Sequence, residues 1–138
     1  MVEIAQRQQL RPAGGRITQV VEQSWQWHQG KFFPVDSWSP AINVYQLERR
    51  VEVCVDLAGL DTKSVEVRVE INRLIIRGSR PAPEPQRGKE PMRILSMEIN
   101  HGPFCRIMTL NQLIDLPRVQ TQYVNGLLWI CLPLRSPG

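Results

Sequence analysis

Few side chains in this sequence could break or make bonds. There are two histidines, His28 and His101, and three cysteines, Cys54, Cys105 and Cys131. His101 and Cys105 have a spacing that two ligands of one metal could share. A structural zinc site takes four ligands, and no C-x-x-C pair joins these two, so no metal site is assigned. Neither histidine stands in a spacing that supports a Ser/His/Asp or Cys/His arrangement, and there is no glycine-rich phosphate loop. The expectation is a protein that is not an enzyme, with no catalytic residue, no metal and no cofactor. Three widely spaced thiols of odd number read as buried free cysteines in a reducing, cytoplasmic setting. One more residue needs a chemical account. Arg106 is in phase with Phe104, Met108 and Leu110, and a guanidinium among apolar neighbours must be paired or reach water.

Charge does not supply a function either. The net charge is +4, but the arginines are scattered, and Arg49-Arg50 is flanked by Glu48, Glu52 and Asp56. That is a mixed solvated surface rather than a phosphate-binding stripe, so nucleic acid is not an expected partner. The longest apolar run is Leu127 to Leu132, far below the roughly 20 residues of a membrane span, so no membrane partner is expected. Met1 to Gln9 has no apolar core of a secretory signal.

The elements that must position these residues divide into a tail and a body. At 138 residues, 42% of them hydrophobic, the chain suits one domain plus a tail. Residues 1–39 hold five of the nine aromatics (Trp25, Trp27, Phe32, Phe33 and Trp38). The first fifteen residues, with Pro12 and Gly14-Gly15, read as flexible. From Arg16 to Gln29 the positions Ile17, Val20, Val21 and Trp25 fall on one helical face, with Gly30 as a stop. So short a helix forms mainly against a partner.

From Pro40 the apolar period becomes two. Residues 41–47 give a first strand. Val51, Val53, Val55 and Leu57 alternate with polar residues in a second, and Val65, Val67 and Val69 in a third. Leu74 to Arg77 follows the Asn72-Arg73 turn. Residues 79–97 carry Pro81, Pro83, Pro85 and Pro91, which keeps their first part out of a central strand; Met92 to Met97 is read as one short strand. Phe104 to Leu110 comes next. Asn125-Gly126 joins Arg118–Val124 to Leu127–Leu132 as a hairpin. The last strand is apolar on both faces, so something must cover the second one. Seven or eight short strands at this spacing predict an all-β, immunoglobulin-like β-sandwich.

In order along the chain, these residues also resemble the α-crystallin domain of the small heat-shock proteins, from Trp38 to Leu134. Trp38-Ser39-Pro40-Ala41-Ile42-Asn43-Val44-Tyr45 resembles the family's W-x-P-x-x-D-v-y, with Asn43 in place of the acid. Leu57-Ala58-Gly59-Leu60 is similar to L-P-G-v. Val65-x-Val67 and Asn72 to Gly78 resemble I-x-V and n-x-L-x-I-x-G. Glu98, Gly102, Phe104 and Arg106 match E-x-x-x-G-x-F-x-R. Leu110-Asn111 and Ile114-Asp115 stand at its L-P and V-D. Val119 to Pro133 is similar to i-x-A-x-y-x-N-G-v-L-x-i-x-l-P.

The resemblance implies an ATP-independent chaperone that holds partly unfolded client proteins and prevents their aggregation. Its parts would be an aromatic-rich region over 1–39, partly helical or disordered, an α-crystallin-like sandwich over 40–134, and a short tail over 135–138. Client-binding residues would be Ile17, Val20, Val21, Trp25, Trp27, Phe32 and Phe33. The self-partner would be held through Ile42, Val44, Met92, Ile94, Leu95 and Arg106, the arm of one subunit pairing with the first strand of another. A groove formed by Val65, Val67, Val69, Val119, Thr121 and Tyr123 would receive an apolar I-x-I/V motif. Because the sequence runs from Leu134 straight to Gly138, the expected particle is small, with that groove open. The alternative is a co-chaperone-like sandwich adaptor that docks one folded partner; the swap-competent loop and aromatic tail argue against it.

Overall fold

The structure is a computed structural model. It describes residues 37–136 in full and, ahead of them, the backbone of four short strands. In chain order the strands are β1 (Val2–Ile4), β2 (Arg7–Gln8), β3 (Trp27–His28), β4 (Lys31–Phe32), β5 (Ile42–Gln46), β6 (Arg50–Asp56), β7 (Val65–Glu70), β8 (Arg73–Arg80), β9 (Gly102–Thr109), β10 (Gln120–Val124) and β11 (Leu127–Pro133). Two 3₁₀ turns, Thr62–Ser64 and Leu116–Arg118, complete them.

Alternation decides how these strands stack. Val51, Val53 and Val55 of β6 are fully buried and meet Leu128, Ile130 and Leu132 of β11 in register. Val67 and Val69 of β7 and Leu74 and Ile76 of β8 are equally buried. One sheet runs β10-β11-β6-β5 and the other β2-β1-β7-β8-β9. Their apolar faces close on one shared core that includes Phe104, Met108 and Ile114, as a two-layer antiparallel sandwich requires. A small second cluster of Ile75, Cys105 and Ile107 lies on the other face of β8 and β9.

Two glycines are needed where they stand. Asn125 and Gly126 both have positive φ, 54° and 78°, the geometry of the tight turn that sets the β10–β11 register. A Cβ on Gly126 would come within 3.1 Å of Ala58 Cα. At Gly78 a Cβ would collide with the Ser64 carbonyl oxygen and lie 2.9 Å from Phe104 Cζ.

Four expectations differ from what is observed. Met92 to Met97 forms no strand; the backbone there is irregular and its side chains are exposed, since no strand lies beside it to satisfy a ladder. Trp27 and His28 form a hairpin with Phe32 and Lys31 rather than the end of a helix. Trp27 stands opposite Phe32 in register, and cross-strand pairing of aromatic residue types competes against helix. The remainder of the expected helix lies outside the described residues. Within the stretch read as flexible, residues 2–4 and 7–8 are strands. Cys131 is half-buried rather than buried, because it faces outward from β11 beside Trp129.

Candidate functional site

Most of the exposed large apolar side chains among the described residues lie in the chain between β8 and β9. Met92, Ile94, Leu95, Met97 and Ile99 are 45%, 56%, 83%, 51% and 60% exposed. Together with Pro83 and Pro85 they line an open cleft of about 550 Å³. Large aliphatic side chains are normally hidden, and a contiguous exposed set marks an interaction surface. The prolines hold the approach extended. Arg80 ties the arm's two ends together: its Nη2 donates to the Asn100 carbonyl at 2.6 Å, and its guanidinium lies 4.4 Å from the Trp38 ring centre. Met92, Ile94 and Leu95 are the expected self-interface residues, in an apolar stretch expected to end at Met97; Ile99 extends it. Leu95, Met97 and Ile99 fall at i, i+2 spacing.

Ile42 and Val44 are on β5, the edge of the four-stranded sheet, half-buried against the core. Arg106, on β9, connects to the same place. Its Nη1 donates to the Pro40 carbonyl at 3.0 Å, just ahead of β5. So Arg106 reaches across from one sheet to anchor the start of the other. Trp38 reinforces this junction. Its backbone pairs with β9 on both sides, its N–H donating to the Pro103 carbonyl at 3.1 Å and its carbonyl accepting from Cys105 N at 3.0 Å. Its indole donates to the Gly102 carbonyl at 3.2 Å. The expected dimer residues therefore fall in two groups: Ile42, Val44 and Arg106 at the β5 edge, and Met92, Ile94 and Leu95 on the arm.

The expected groove residues lie along β7 and on or just before β10, strands of different sheets. Val65, Val67, Val69, Val119 and Thr121 are buried, and Tyr123 is half-buried. Tyr123 is structural: its hydroxyl donates to the Leu57 carbonyl at 2.7 Å and accepts from Leu60 N at 3.4 Å, fixing the turn before β7. The β7 edge that the sequence reading left open is paired with β1. On the outer face of β7 and β8, ion pairs run from Arg77 to Glu66, Arg73 to Glu70, and Arg68 to Glu70, the last at 3.0 Å.

Of the expected client-binding residues, Trp27 and Phe32 are paired in the β3–β4 hairpin. Ile17, Val20, Val21, Trp25 and Phe33 lie outside the described residues. The twofold apolar character of β11 has a local answer, since Trp129 stacks on Tyr45 with ring centres 6.2 Å apart. All three thiols are free. Burial pushes the Cys105 thiol up to about 12, with the Arg77 guanidinium opposing the shift. Cys54 is raised by burial and by the Asp56 carboxylate. A raised thiol is a poor nucleophile and a poor metal ligand at neutral pH. His101 is exposed in the turn before β9. Among the described residues no three His, Cys, Asp or Glu side chains come together, and no helix is long and apolar enough to cross a membrane.

Residues 43–138 match the Hsp20/alpha crystallin family, and the chain belongs to that family. It is 31% identical over 101 residues to the 18 kDa antigen 1 of Mycobacterium avium, a match covering 73% of this chain and 60% of that protein. It is 29% identical over 99 residues to a probable 15 kDa heat shock protein of Leptospira interrogans, covering 72% of each. Among solved structures it is similar to heat shock protein 16.0 from Schizosaccharomyces pombe, with a TM-score of 0.61 and 27% identity over 75% of this chain and 72% of that one. It is also similar to hspA from Xanthomonas axonopodis, with a TM-score of 0.62 and 26% identity over 74% of this chain and 99% of that one.

Proposed function

We propose that this protein is an ATP-independent holdase that binds partly unfolded proteins and keeps them from aggregating. The observation that carries this is the arm: five large apolar side chains, at least 45% exposed, beside a rigid sandwich. A holdase must offer apolar surface that competes with a client's self-association, and it needs no catalytic centre. Membership of the Hsp20/alpha crystallin family supports the same reading, as does the heat-shock designation of the Leptospira relative. The protein is not an enzyme in this reading, and it works in the cytoplasm.

The parts divide as follows. Residues 40–134 form the scaffold, and residues 1–39, through Ile17, Val20, Val21, Trp25, Trp27, Phe32 and Phe33, add aromatic surface for clients. Two copies associate when the arm of one, through Met92, Ile94 and Leu95, lies along the β5 edge of the other at Ile42 and Val44. A strand edge with unpaired backbone groups favours such an addition. Arg106 holds that edge in place from β9.

A heat-labile client, warmed with this protein and no nucleotide and then centrifuged, is expected to stay in the supernatant and co-elute with it at high mass. A client that pellets in full, at every ratio tried, refutes the proposal.

A further inference from the structure

Alternation on β6 and β11 sends one set of side chains outward. Val51 and Val53 of β6 and Ile130 and Leu132 of β11 are fully buried, so Arg50, Glu52 and Cys131 face away from the core. In register, Cys131 lies between Gln120 of β10 and Glu52 of β6, and Pro133 lies beside Arg50. The turn before β6 adds Arg49, whose carbonyl accepts from Leu134 N at 2.9 Å. The 3₁₀ turn before β10 adds Arg118. These pieces border an open cleft of about 370 Å³ whose lining includes Arg49, Arg50, Arg118, Gln120 and Cys131.

Three guanidiniums line this cleft, and no acidic residue is among its lining. Two carboxylates stand beside it: Glu52 is 3.5 Å from Arg50, and Asp115 is 3.5 Å from Arg118. The Arg50 and Arg118 side chains remain 48% and 69% exposed, and pairs so long and so exposed hold a cation only weakly. Among the described residues Arg49 has no carboxylate partner. Positive charge is therefore in excess beside a thiol. That thiol is also the accessible one. Cys131 is half-buried and free, whereas Cys54 and Cys105 are buried. An arginine fork pairs with a carboxylate in two parallel hydrogen bonds. A small molecule that carries carboxylates and a reactive sulfur would meet both features of the cleft at once.

We infer that this cleft is a site of reversible thiolation, at which Cys131 takes up one half of a small carboxylate-bearing disulfide of the glutathione type. The Cys131 thiol gives its proton to water, and its sulfur attacks one sulfur of the disulfide. The reagent's S–S bond breaks as the new one forms, and the other half leaves as a thiolate that takes up a proton. Cys131 is oxidised to the mixed disulfide and the departing half is reduced. The arginines hold the reagent's carboxylates over the thiol and favour the negative charge on the leaving sulfur. Attack by a second small thiol reverses the step. Such a cap spares the sulfur from irreversible oxidation.

The test uses the reduced full-length protein and two disulfides of opposite charge, anionic glutathione disulfide and cationic cystamine. Mass spectrometry follows the rate and peptide mapping gives the position. Glutathione disulfide is expected to modify Cys131 and to leave Cys54 and Cys105 free. The ratio of the two rates cancels the reactivity of the thiol itself. It is expected to fall about tenfold or more in a chain carrying Arg49→Glu and Arg118→Glu. The same ratio in wild type is expected to fall as salt is raised. Failure of glutathione disulfide to modify Cys131 overturns the inference, and so does a ratio unchanged by the two substitutions. Should the double variant unfold, shown by modification of Cys54 and Cys105, the wild-type ratio decides: independence of salt overturns the inference. No client enters these measurements, so their failure leaves the holdase proposal to its own test.

Discussion

Gly78 shows how little room a single position leaves in this sandwich. A methyl group there meets the Ser64 carbonyl and the Phe104 ring, and neither can retreat, because one is backbone and the other is buried. Gly78→Ala is therefore expected to cost about 1–3 kcal/mol, read as a lowered urea midpoint with an unchanged slope. Cys105 gives a pH dependence. Burial pushes its thiol up to about 12 in the folded chain, against an ordinary value of 9.0. Between those values the unfolded chain releases a proton that the folded chain keeps, so stability falls as pH rises from about 9 to 12 and is unaffected by this group below that window. Urea titrations at pH 8 and pH 11 should show a larger loss for the wild type than for Cys105→Ala. Arg106 is the third case. Removing its donor frees the Pro40 carbonyl, so Arg106→Gly should lower the melting temperature by several degrees, while the exposed Lys89→Gly should hardly move it. Equal shifts in scanning calorimetry would count against the anchoring role.

At the level of elements, the arm is expected to govern association without governing folding. Ile94→Glu with Leu95→Glu alters exposed side chains only. Sedimentation should show loss of dimer, while the unfolding free energy of the sandwich stays within about 0.5 kcal/mol of wild type. The sandwich strands were legible because their signals are local. Val51, Val53 and Val55 alternate with polar residues, and Asn125-Gly126 marks its hairpin in two letters. The arm was legible as a proline-flanked apolar stretch, but not as an irregular one. Met92 to Met97 has strand-like residues and lacks a neighbouring strand in the single chain, and that is a non-local fact. Strand β1 was invisible for the same reason: three residues at one end pair with Val67 to Val69 far along the chain, and no local pattern announces it. At Trp27 the helical period gave way to strand pairing with Phe32. The Arg106 contact to Pro40 needed the fold, although its apolar phase had already marked it as a residue requiring a partner.

The described residues form a double sheet, and most of their exposed large apolar side chains are on one arm. The family match over residues 43–138 spans the arm and all but the start of the described sandwich strands from β5 onward. The proposed activity requires neither a nucleotide site nor a catalytic cluster. Its driving force is burial of apolar area, which is stoichiometric and uses no fuel. The most direct measurement is light scattering of an unfolding client, heated without ATP and with increasing amounts of this protein. The account predicts scattering that falls in proportion to the protein added and approaches zero near equal mass. Curves that overlay the client alone at every ratio would contradict it.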